Sequence, residues 1–513
     1  MAQKNLVHIT ILIMLFTVLG TVTGFVIQIL TAHYFGVSKD LDAFIAVSTL
    51  PFLFYGLTNS SFMTALVHIL TKNKIDTDSE FSEAGSNILT FIFFVSMIVS
   101  AIVFVKAEFF SKILVPGFSA EQLTTTTLMM KILSISIFFL GMSSVTTGLL
   151  YFKNHFSTPT LVRPFLGLAT IICLVFLQRN YSVYTLAIGM ALGSFFVFFS
   201  QITTLLFRDF NYKPSNVFQE PLLKDLFYAS WPLLISSILY YSNKIITNTF
   251  ASHLPQGSIS VLNYAFTIAS FPTLLFTGAI ATAIFPHLNK KAIDAQTKQF
   301  KQTFITSIRW TLLTLIPITI VFVILNKQII TILFERGRFD ALATTRTATA
   351  LAYYSIGLIA LGLYPLITNA LVALGEIKKS MWLMFWLMVI NTIFNFLFIS
   401  GATNGLALAS SFAYWIAFCI GILMLKKRIA HVNIKNLIKI TSKIVLALLP
   451  VTLFLITTKM FILDIYSLLI IVSTSATLYF VFCHLLHVQE ISLIKEEVIK
   501  SHHTLLSKIM CFR

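Results

Sequence analysis

Residues 248–278, NTFASHLPQGSISVLNYAFTIASFPTLLFTG, read as the end of one apolar helix, a short polar turn and the start of the next. Residues 32–56, AHYFGVSKDLDAFIAVSTLPFLFYG, repeat that statement: a small-polar turn leads into an apolar helix broken by Ser/Thr-x-Pro. A true duplication keeps one offset along its length, whereas chance resemblances scatter. Pro51 answers to Pro272 at an offset of 221, and Gly141 to Gly362 at 221. Between them SKILVPGFSAEQLTTTT around Gly117 answers to ITILFERGRFDALATTRT around Gly337 at 220. The agreement predicts two copies, residues 1–220 and 221–430, followed by an extra apolar pair over 431–487 and a tail over 488–513.

The solvent for these helices is lipid. The 513 residues are 57% hydrophobic and 11% charged, with a mean hydropathy of +0.88, more apolar surface than a water-soluble globule can hide. Six apolar segments fall in the first copy, at 7–35, 41–70, 86–108, 125–151, 158–178 and 182–207. Six more fall at 226–250, 258–286, 303–325, 343–372, 380–400 and 404–425, and two at 440–458 and 464–486. Each is long enough to cross a hydrocarbon core of about 30 Å. The fold class expected is therefore all-α and polytopic, with about 14 transmembrane helices in two six-helix repeats plus two. Lys4 followed by an apolar run without a small-residue cleavage site fits a first membrane helix better than a removable signal peptide.

The net charge of +17 is explained by topology. Of the 36 Lys and Arg residues, 23 sort to the side of the membrane that holds both termini and 8 to the other, with Lys131, Arg163, Lys244, Arg309 and Arg346 within or at the ends of helices. Positive charge marks the cytoplasmic face, which places both termini inside and leaves little to argue for nucleic acid. The four scattered cysteines, Cys173, Cys419, Cys483 and Cys511, suggest neither a disulfide framework nor a metal site. With no phosphate-binding glycine loop and no HExxH, the chain reads as a transporter without a cofactor rather than an enzyme, driven by an ion gradient, the membrane potential or the substrate gradient.

An even number of spans returns the chain to its starting side, so the copies face the same way and are expected to enclose a central cavity that opens to alternate sides. Candidate cavity residues follow from polarity within spans. The first helix carries Thr17, Gly20, Thr21, Thr23 and Gly24, a pattern read either as close packing through small residues or as a cavity wall. Asp42, near the start of the second helix, is read as a cap favoured by the helix dipole or as a proton or cation site. Pro51 permits bending mid-helix. Lys244, about six residues from the outer end of the seventh helix, either snorkels or anchors an anionic substrate beside Asn243, Thr247 and Asn248. Arg163, Arg309, Lys131 and Arg346 lie near helix ends, where snorkelling accounts for them, and Arg163 stays a substrate-facing candidate. Asn391 and Asn395 stack one turn apart, as an interhelical hydrogen-bond pair or, with Asn243, as a cation site. Residues 107–124 and 326–342 are expected to form short amphipathic helices at the outer interface.

Together these stretches resemble the MurJ (MviN) lipid II flippase family of the multidrug/oligosaccharidyl-lipid/polysaccharide exporter superfamily. The resemblance rests on GFVIQILTAHYFGVSKDLDAFIAVSTLP, LVPGFSAEQ, NHFSTPTLVRP, NTFASHLPQGSISVLNYA and LFERGRFDALATTRTATALAYYSIGL. It implies a bacterial inner-membrane flippase that carries an undecaprenyl-pyrophosphate-linked saccharide outward, with its headgroup in a cationic cavity and its lipid tail near the last two helices. Partners implied are that substrate, membrane lipids and a coupling cation or the membrane potential, for a protein acting as a monomer.

Three departures stand out. Where the family's first helix has Arg-x-x-Gly-Phe-x-Arg, this chain has Thr21, Gly24, Phe25 and Ile27. After Leu-Pro in the second helix it reads Phe52, Leu53, Phe54, Tyr55 and Gly56, without arginine. Where the eighth helix has Tyr-Ala-Asp-Arg, it reads Tyr264, Ala265, Phe266 and Thr267. Asp42 does match the family's Asp-Ala-Phe. A doubly ionised pyrophosphate at low dielectric needs compensating positive charge, for which Lys244 is the candidate replacement. The alternatives are a flippase for another lipid-linked polysaccharide unit, a cation-coupled multidrug exporter, and a non-transporting membrane scaffold.

Overall fold

The computed structural model describes residues 2–59, 63–73, 75, 77–208, 210–215, 221–294, 297–426, 434–488 and 490–491, and every regular element among them is helical. Lys427 and Arg428, and the tail beyond Ile491, lie outside the described residues. Packing divides the chain into two compact units, residues 1–263 with 334–343, and residues 264–333 with 344–513.

In the first unit the helices are α1 (Ala2–Phe35), α2 (Lys39–Leu57), α3 (Met63–Lys72), α4 (Asp78–Val105), α5 (Ala107–Leu114) and α6 (Ala120–Phe152). They are followed by α7 (Ser157–Thr160), α8 (Val162–Tyr181), α9 (Tyr184–Leu206) and α10 (Pro221–Ala251), and α11 (Ser258–Pro272) begins here. Their starts follow local chemistry. Ser38, extended, accepts a hydrogen bond from Leu41 N at 3.3 Å to cap α2. Thr77 with Glu80 and Ser119 with Gln122 form reciprocal capping boxes at α4 and α6. The amphipathic helix expected beyond residue 107 is α5, tied internally by Lys112 and Glu108 at 2.6 Å. That hydrogen bond holds the Glu108 carboxyl below its ordinary range.

The packing reading of the first helix holds for part of its small-residue face. A Cβ at Gly20 would meet Arg163 Cβ at 2.7 Å, and one at Gly167 would meet Thr23 Oγ1 within 3.0 Å, so α1 and α8 approach through these positions. Gly24 has nothing within 4 Å.

After α9 the chain runs as an extended strap along α4. Asn211 N donates to Ser82 Oγ at 3.1 Å, Lys213 N to Ser86 Oγ at 2.9 Å and Ser215 N to Asn87 Oδ1 at 2.9 Å. The Tyr212 and Thr90 hydroxyls lie 2.6 Å apart. Alternate backbone amides of an extended segment thus meet side chains one turn apart on a helix, and this stretch satisfies its N–H groups without a sheet.

The second unit holds α12 (Gly278–Ile293), α13 (Thr297–Ile324), α14 (Asn326–Phe334), α15 (Ala341–Ile356), α16 (Leu358–Ala373) and α17 (Ile377–Phe398), then α18 (Ala402–Leu425), α19 (Ile434–Thr458) and α20 (Ile465–Leu485). Its core joins Phe304 and Ile308 of α13 to Leu363 and Ile367 of α16, Leu383 of α17 and Ala413 of α18. Beyond Pro272 the helix loosens into a π-helical turn, Thr273–Thr277, because proline has no N–H to give. The last two helices pack on α13, where Tyr479 donates its hydroxyl hydrogen to Leu313 O at 2.9 Å. Arg309 of α13, expected to snorkel, instead pairs with Glu490 at 3.5 Å, and both side chains are largely buried. Lys443 donates to the carbonyls of Leu486 and His487 at 2.8 and 3.1 Å, closing the C-terminal end of α20.

Eleven described helices are long and apolar enough to cross a membrane, or up to twelve with the pair α15 and α16, bent by 46°. One of these, Ile377–Leu425, is a 49-residue stretch, about 74 Å if straight, more than twice the hydrocarbon thickness. It reverses at Ile399–Ala402, where Ala402 has φ 51°, and α17 packs on α18, so it contributes two crossings. With α10, 31 residues long, the chain is an all-α polytopic membrane protein close to the fourteen spans expected.

Candidate functional site

Asp42 comes first because its setting separates the two readings of it. Its carboxylate, 2% exposed, accepts from Gly257 N at 2.7 Å, Ser260 N at 2.7 Å and Ser260 Oγ at 2.6 Å. Asp42 therefore caps a helix, but not its own. Ser38 already caps α2, which leaves Asp42 to receive the N-terminal amides of α11, where a negative group is favoured by the helix dipole. Gly257 has φ +84°, and a Cβ there would strike Val37, so the turn entering α11 accepts glycine alone.

Two further turns close on carbonyls in the same way. Thr249 Oγ1 donates to Leu114 O at 3.0 Å, and Gly117 N to Ser252 Oγ at 3.1 Å. At the turn around Gly337, Arg338 N donates to His33 O at 2.9 Å. A Cβ at Gly117 would fall within 3.0 Å of Ser252 O, and one at Gly337 within 3.0 Å of His33 O. The end of α1 meets the Gly337 turn as the end of α10 meets the Gly117 turn.

Lys244, the candidate anchor, lies on α10 with an exposed side chain. Its ammonium donates to Asn263 Oδ1 at 3.4 Å, and among the described residues no carboxylate pairs with it. Asn243 Oδ1 and Asn248 Nδ2, one residue before and one turn after, are buried without a hydrogen-bond partner among the described residues. The lysine has unspent donor capacity beside unspent amide groups.

Arg163 sits where α8 approaches α1 at Gly20. The side chain is exposed at the start of α8, and Tyr55, Tyr240 and Tyr241 lie within electrostatic reach of its guanidinium. The Tyr241 ring covers Gly56, where a Cβ would sit 2.7 Å from Tyr241 Oη. Tyr240 is 61% exposed, and its ring stands at 90° to that of Tyr241 with centroids 5.3 Å apart. Sequence reasoning passed over these tyrosines. Their signal was the pairing of Tyr55 with Gly56 and of Tyr240 with Tyr241, one turn before Lys244.

The remaining candidates are dispersed. Thr21 Oγ1 donates back to Thr17 O at 2.9 Å, within its own helix. Thr267 is half-buried in the second unit. Also in the second unit, Asn395 Nδ2 donates to Asn391 Oδ1 at 2.6 Å and Asn391 Nδ2 to Ser410 Oγ at 3.3 Å, both asparagines being buried. This joins α17 to α18 as an interhelical hydrogen-bond pair does. No group of three or more His, Cys, Asp or Glu residues able to hold a metal occurs among the described residues.

Chemically, Lys244 and Arg163 are two cations of the first unit without a carboxylate partner among the described residues, and Lys244 stands beside neutral amide groups. Such a set binds and releases an anion; it contains no nucleophile paired with a base.

Comparison with known proteins identifies the family. The family description "Lipid II flippase MurJ" matches residues 31–481. The chain is 27% identical over 427 residues to a probable lipid II flippase MurJ of Buchnera aphidicola subsp. Baizongia pistaciae, covering 81% of this chain and 82% of that one. It is 27% identical over 400 residues to the lipid II flippase MurJ of Burkholderia cenocepacia, covering 75% and 76%. Among solved structures it resembles a lipid II flippase MurJ in an inward closed conformation, with TM-score 0.79, 22% identity, and 95% and 100% of the two chains covered. It also resembles an inward-facing multidrug resistance MATE family transporter, with TM-score 0.68, 14% identity, and 80% and 94% covered. The family match covers residues 31–481, most of the chain, and the chain belongs to the lipid II flippase MurJ family.

Proposed function

We propose that the chain is a lipid II flippase, moving an undecaprenyl-pyrophosphate-linked saccharide from the inner to the outer leaflet by alternating access. Membership of the family across residues 31–481 carries this reading. Copies 1–220 and 221–430 form the two halves, residues 431–487 flank the lipid tail, and both termini lie in the cytoplasm of a bacterial cell, as the sorting of 23 basic residues against 8 supports. The protein acts as a monomer, drawing on the membrane potential or on a cation.

Lys244 supplies the positive charge that a pyrophosphate requires at low dielectric. Asp42 holds the α11 entrance in one of the two access states, and releasing three hydrogen bonds there is part of the transition to the other.

The test is complementation in cells depleted of their own lipid II flippase, read by labelling of the precursor on the outer leaflet. Restored labelling is expected; growth failure with a correctly inserted protein and unlabelled precursor overturns the reading. Lys244→Ala is expected to abolish complementation at normal protein levels. One observation favours a second reading, a flippase for another lipid-linked glycan: Thr21, Ile27 and Thr267 stand where relatives carry headgroup arginines. Rescue of a polysaccharide-export defect, without rescue of peptidoglycan synthesis, is the result it expects.

A further inference from the structure

Within the second unit α13 carries a proline, Pro317, inside the helix. Proline has no N–H, so the carbonyl four residues earlier, Leu313 O, loses its helical donor. At membrane depth such a carbonyl has to be satisfied by a neighbouring element. Tyr479 of α20 supplies the donor, with its hydroxyl 2.9 Å from Leu313 O and its side chain buried. One turn before Leu313 stands Arg309, so Arg309, Leu313 and Pro317 follow one another along one side of the helix. The end of α20 turns the chain back toward that side. His487 takes a left-handed φ of 53°, Val488 N donates to Cys483 O at 3.0 Å, and Lys443 of α19 holds the Leu486 and His487 carbonyls. Glu490 follows, buried, and meets Arg309. The end of the chain thus grips α13 at two successive turns, both on the N-terminal side of the proline.

The second grip is only half made. Arg309 Nη1 lies 3.5 Å from Glu490 Oε1, while Arg309 Nε and Glu490 Oε2 are both buried without a hydrogen-bond partner among the described residues. A buried ion pair stabilises a protein only when its geometry is good and its remaining atoms are satisfied, and an apolar pair of similar volume does as well or better. As a permanent brace this pair is a poor choice. It has a second arrangement, however, because turning the guanidinium to its Nε edge engages both carboxylate oxygens side-on with no new residue. We propose that α20 and the segment after it form a two-state clamp on a hinge in α13. With the pair loose, as here, the helix bends about the missing bond between Leu313 and Pro317; with the pair made side-on, the part of α13 before the proline is held against α19 and α20. That part follows Lys290, Lys291, Lys298 and Lys301, on the side rich in basic residues. The clamp therefore acts on the cytoplasmic end of α13, and the two states of the pair accompany the two states of access.

The clamp rests on the alternating-access reading, and its test separates the two. Full-length protein in detergent, with its native cysteines replaced, carries spin labels at Gln302→Cys on α13 and Lys439→Cys on α19, both exposed positions. Pulsed electron spin resonance reads the distance between them, and unlabelled variants are scored for outer-leaflet precursor in cells depleted of their own flippase. Wild type is expected to give two distances. Arg309→Met/Glu490→Leu, an apolar brace, is expected to give one distance, to melt close to wild type and to lower outer-leaflet precursor about tenfold. Arg309→Lys keeps the charge and loses the fork, and is expected to lower it about threefold. Tyr479→Phe is expected to lower the melting temperature, whereas Tyr479→Phe/Pro317→Ala should melt as Pro317→Ala does, because alanine returns a backbone donor to Leu313 O. A single distance in wild type, or wild-type transport by the apolar pair, overturns the clamp and leaves the flippase standing. Equal losses from Tyr479→Phe in both backgrounds overturn the hinge. Two wild-type distances without outer-leaflet precursor refute the flippase and leave the clamp. If the apolar pair does not fold, Arg309→Lys decides, and wild-type transport by it overturns the clamp.

Discussion

Asp42→Asn tests the clamp at the entrance to α11 almost isosterically. The carboxylate accepts three hydrogen bonds of 2.6–2.7 Å, from Gly257 N, Ser260 N and Ser260 Oγ. Asparagine has one oxygen, so if it faces Ser260, its NH2 group faces the Gly257 N–H, donor against donor. One bond to a charged acceptor is lost, at about 1.5–3 kcal/mol, two buried donors are stranded, and the surviving bonds fall to neutral strength. The total is roughly 4 kcal/mol. Unfolding of the purified protein in mixed detergent and SDS micelles reads this directly. A double-mutant cycle with Ser260→Ala should return a coupling of about 1 kcal/mol or more, since that serine contributes two of the three donors. A loss below about 0.5 kcal/mol, or single effects that simply add, refutes the clamp. Abolished transport with undiminished stability points instead to the proton or cation role, because such a site depends on the charge and not on the helix it caps.

Gly337→Ala places a Cβ against the His33 carbonyl at φ +62°; strain alone costs about 1–3 kcal/mol, and thermal unfolding should drop clearly, whereas Gly24→Ala, with open space around it, should not. Arg309→Met strands the buried Glu490 carboxylate at a cost of about 3 kcal/mol, and Arg309→Met/Glu490→Leu should recover most of it in the same unfolding assay. Ser82→Ala/Ser86→Ala removes the acceptors of Asn211 N and Lys213 N, about 1 kcal/mol each, and limited proteolysis should then cut faster within residues 208–213. Burial, aided by Arg208, holds the His155 imidazole below its ordinary value. The stability this gives is complete above the unfolded pKa of about 6.5 and is lost as pH falls through the lowered folded value, so His155→Gln should flatten the acid side of the stability curve.

Much of the fold was legible because it follows from periodic apolarity and from offsets. Pro272 loosens its helix into a π-helical turn, and the turn at Gly117 meets the end of α10 as the turn at Gly337 meets the end of α1. What could not be read is what depends on partners distant in sequence. Asp42 sits in the first turn of α2 and looks like a cap for that helix, yet Ser38 holds that role and the amides that Asp42 receives are 215 and 218 residues away. Arg309 looked like a snorkelling residue because its partner, Glu490, follows the last span. The strap over α4 left a trace in Ser82, Ser86 and Thr90, spaced by four, but such spacing is equally that of serines bonded to their own helix.

The missing arginines sharpen the same distinction between charge and geometry. Thr21, Ile27 and Thr267 stand where the resemblance implies arginine, and a buried dianion without a counter-charge is not carried at any useful rate. The chain must either restore that charge from other helices or carry a different ligand. Lys244 from α10 and Arg163 from α8 are both without acidic partners among the described residues, and both stand beside neutral donors or rings. Removing either one lowers the charge by the same amount, but only one removal takes away a fork. If transport tracks net charge alone, Arg163→Lys behaves as wild type; if it tracks the bidentate contact, the lysine variant transports poorly despite an unchanged net charge.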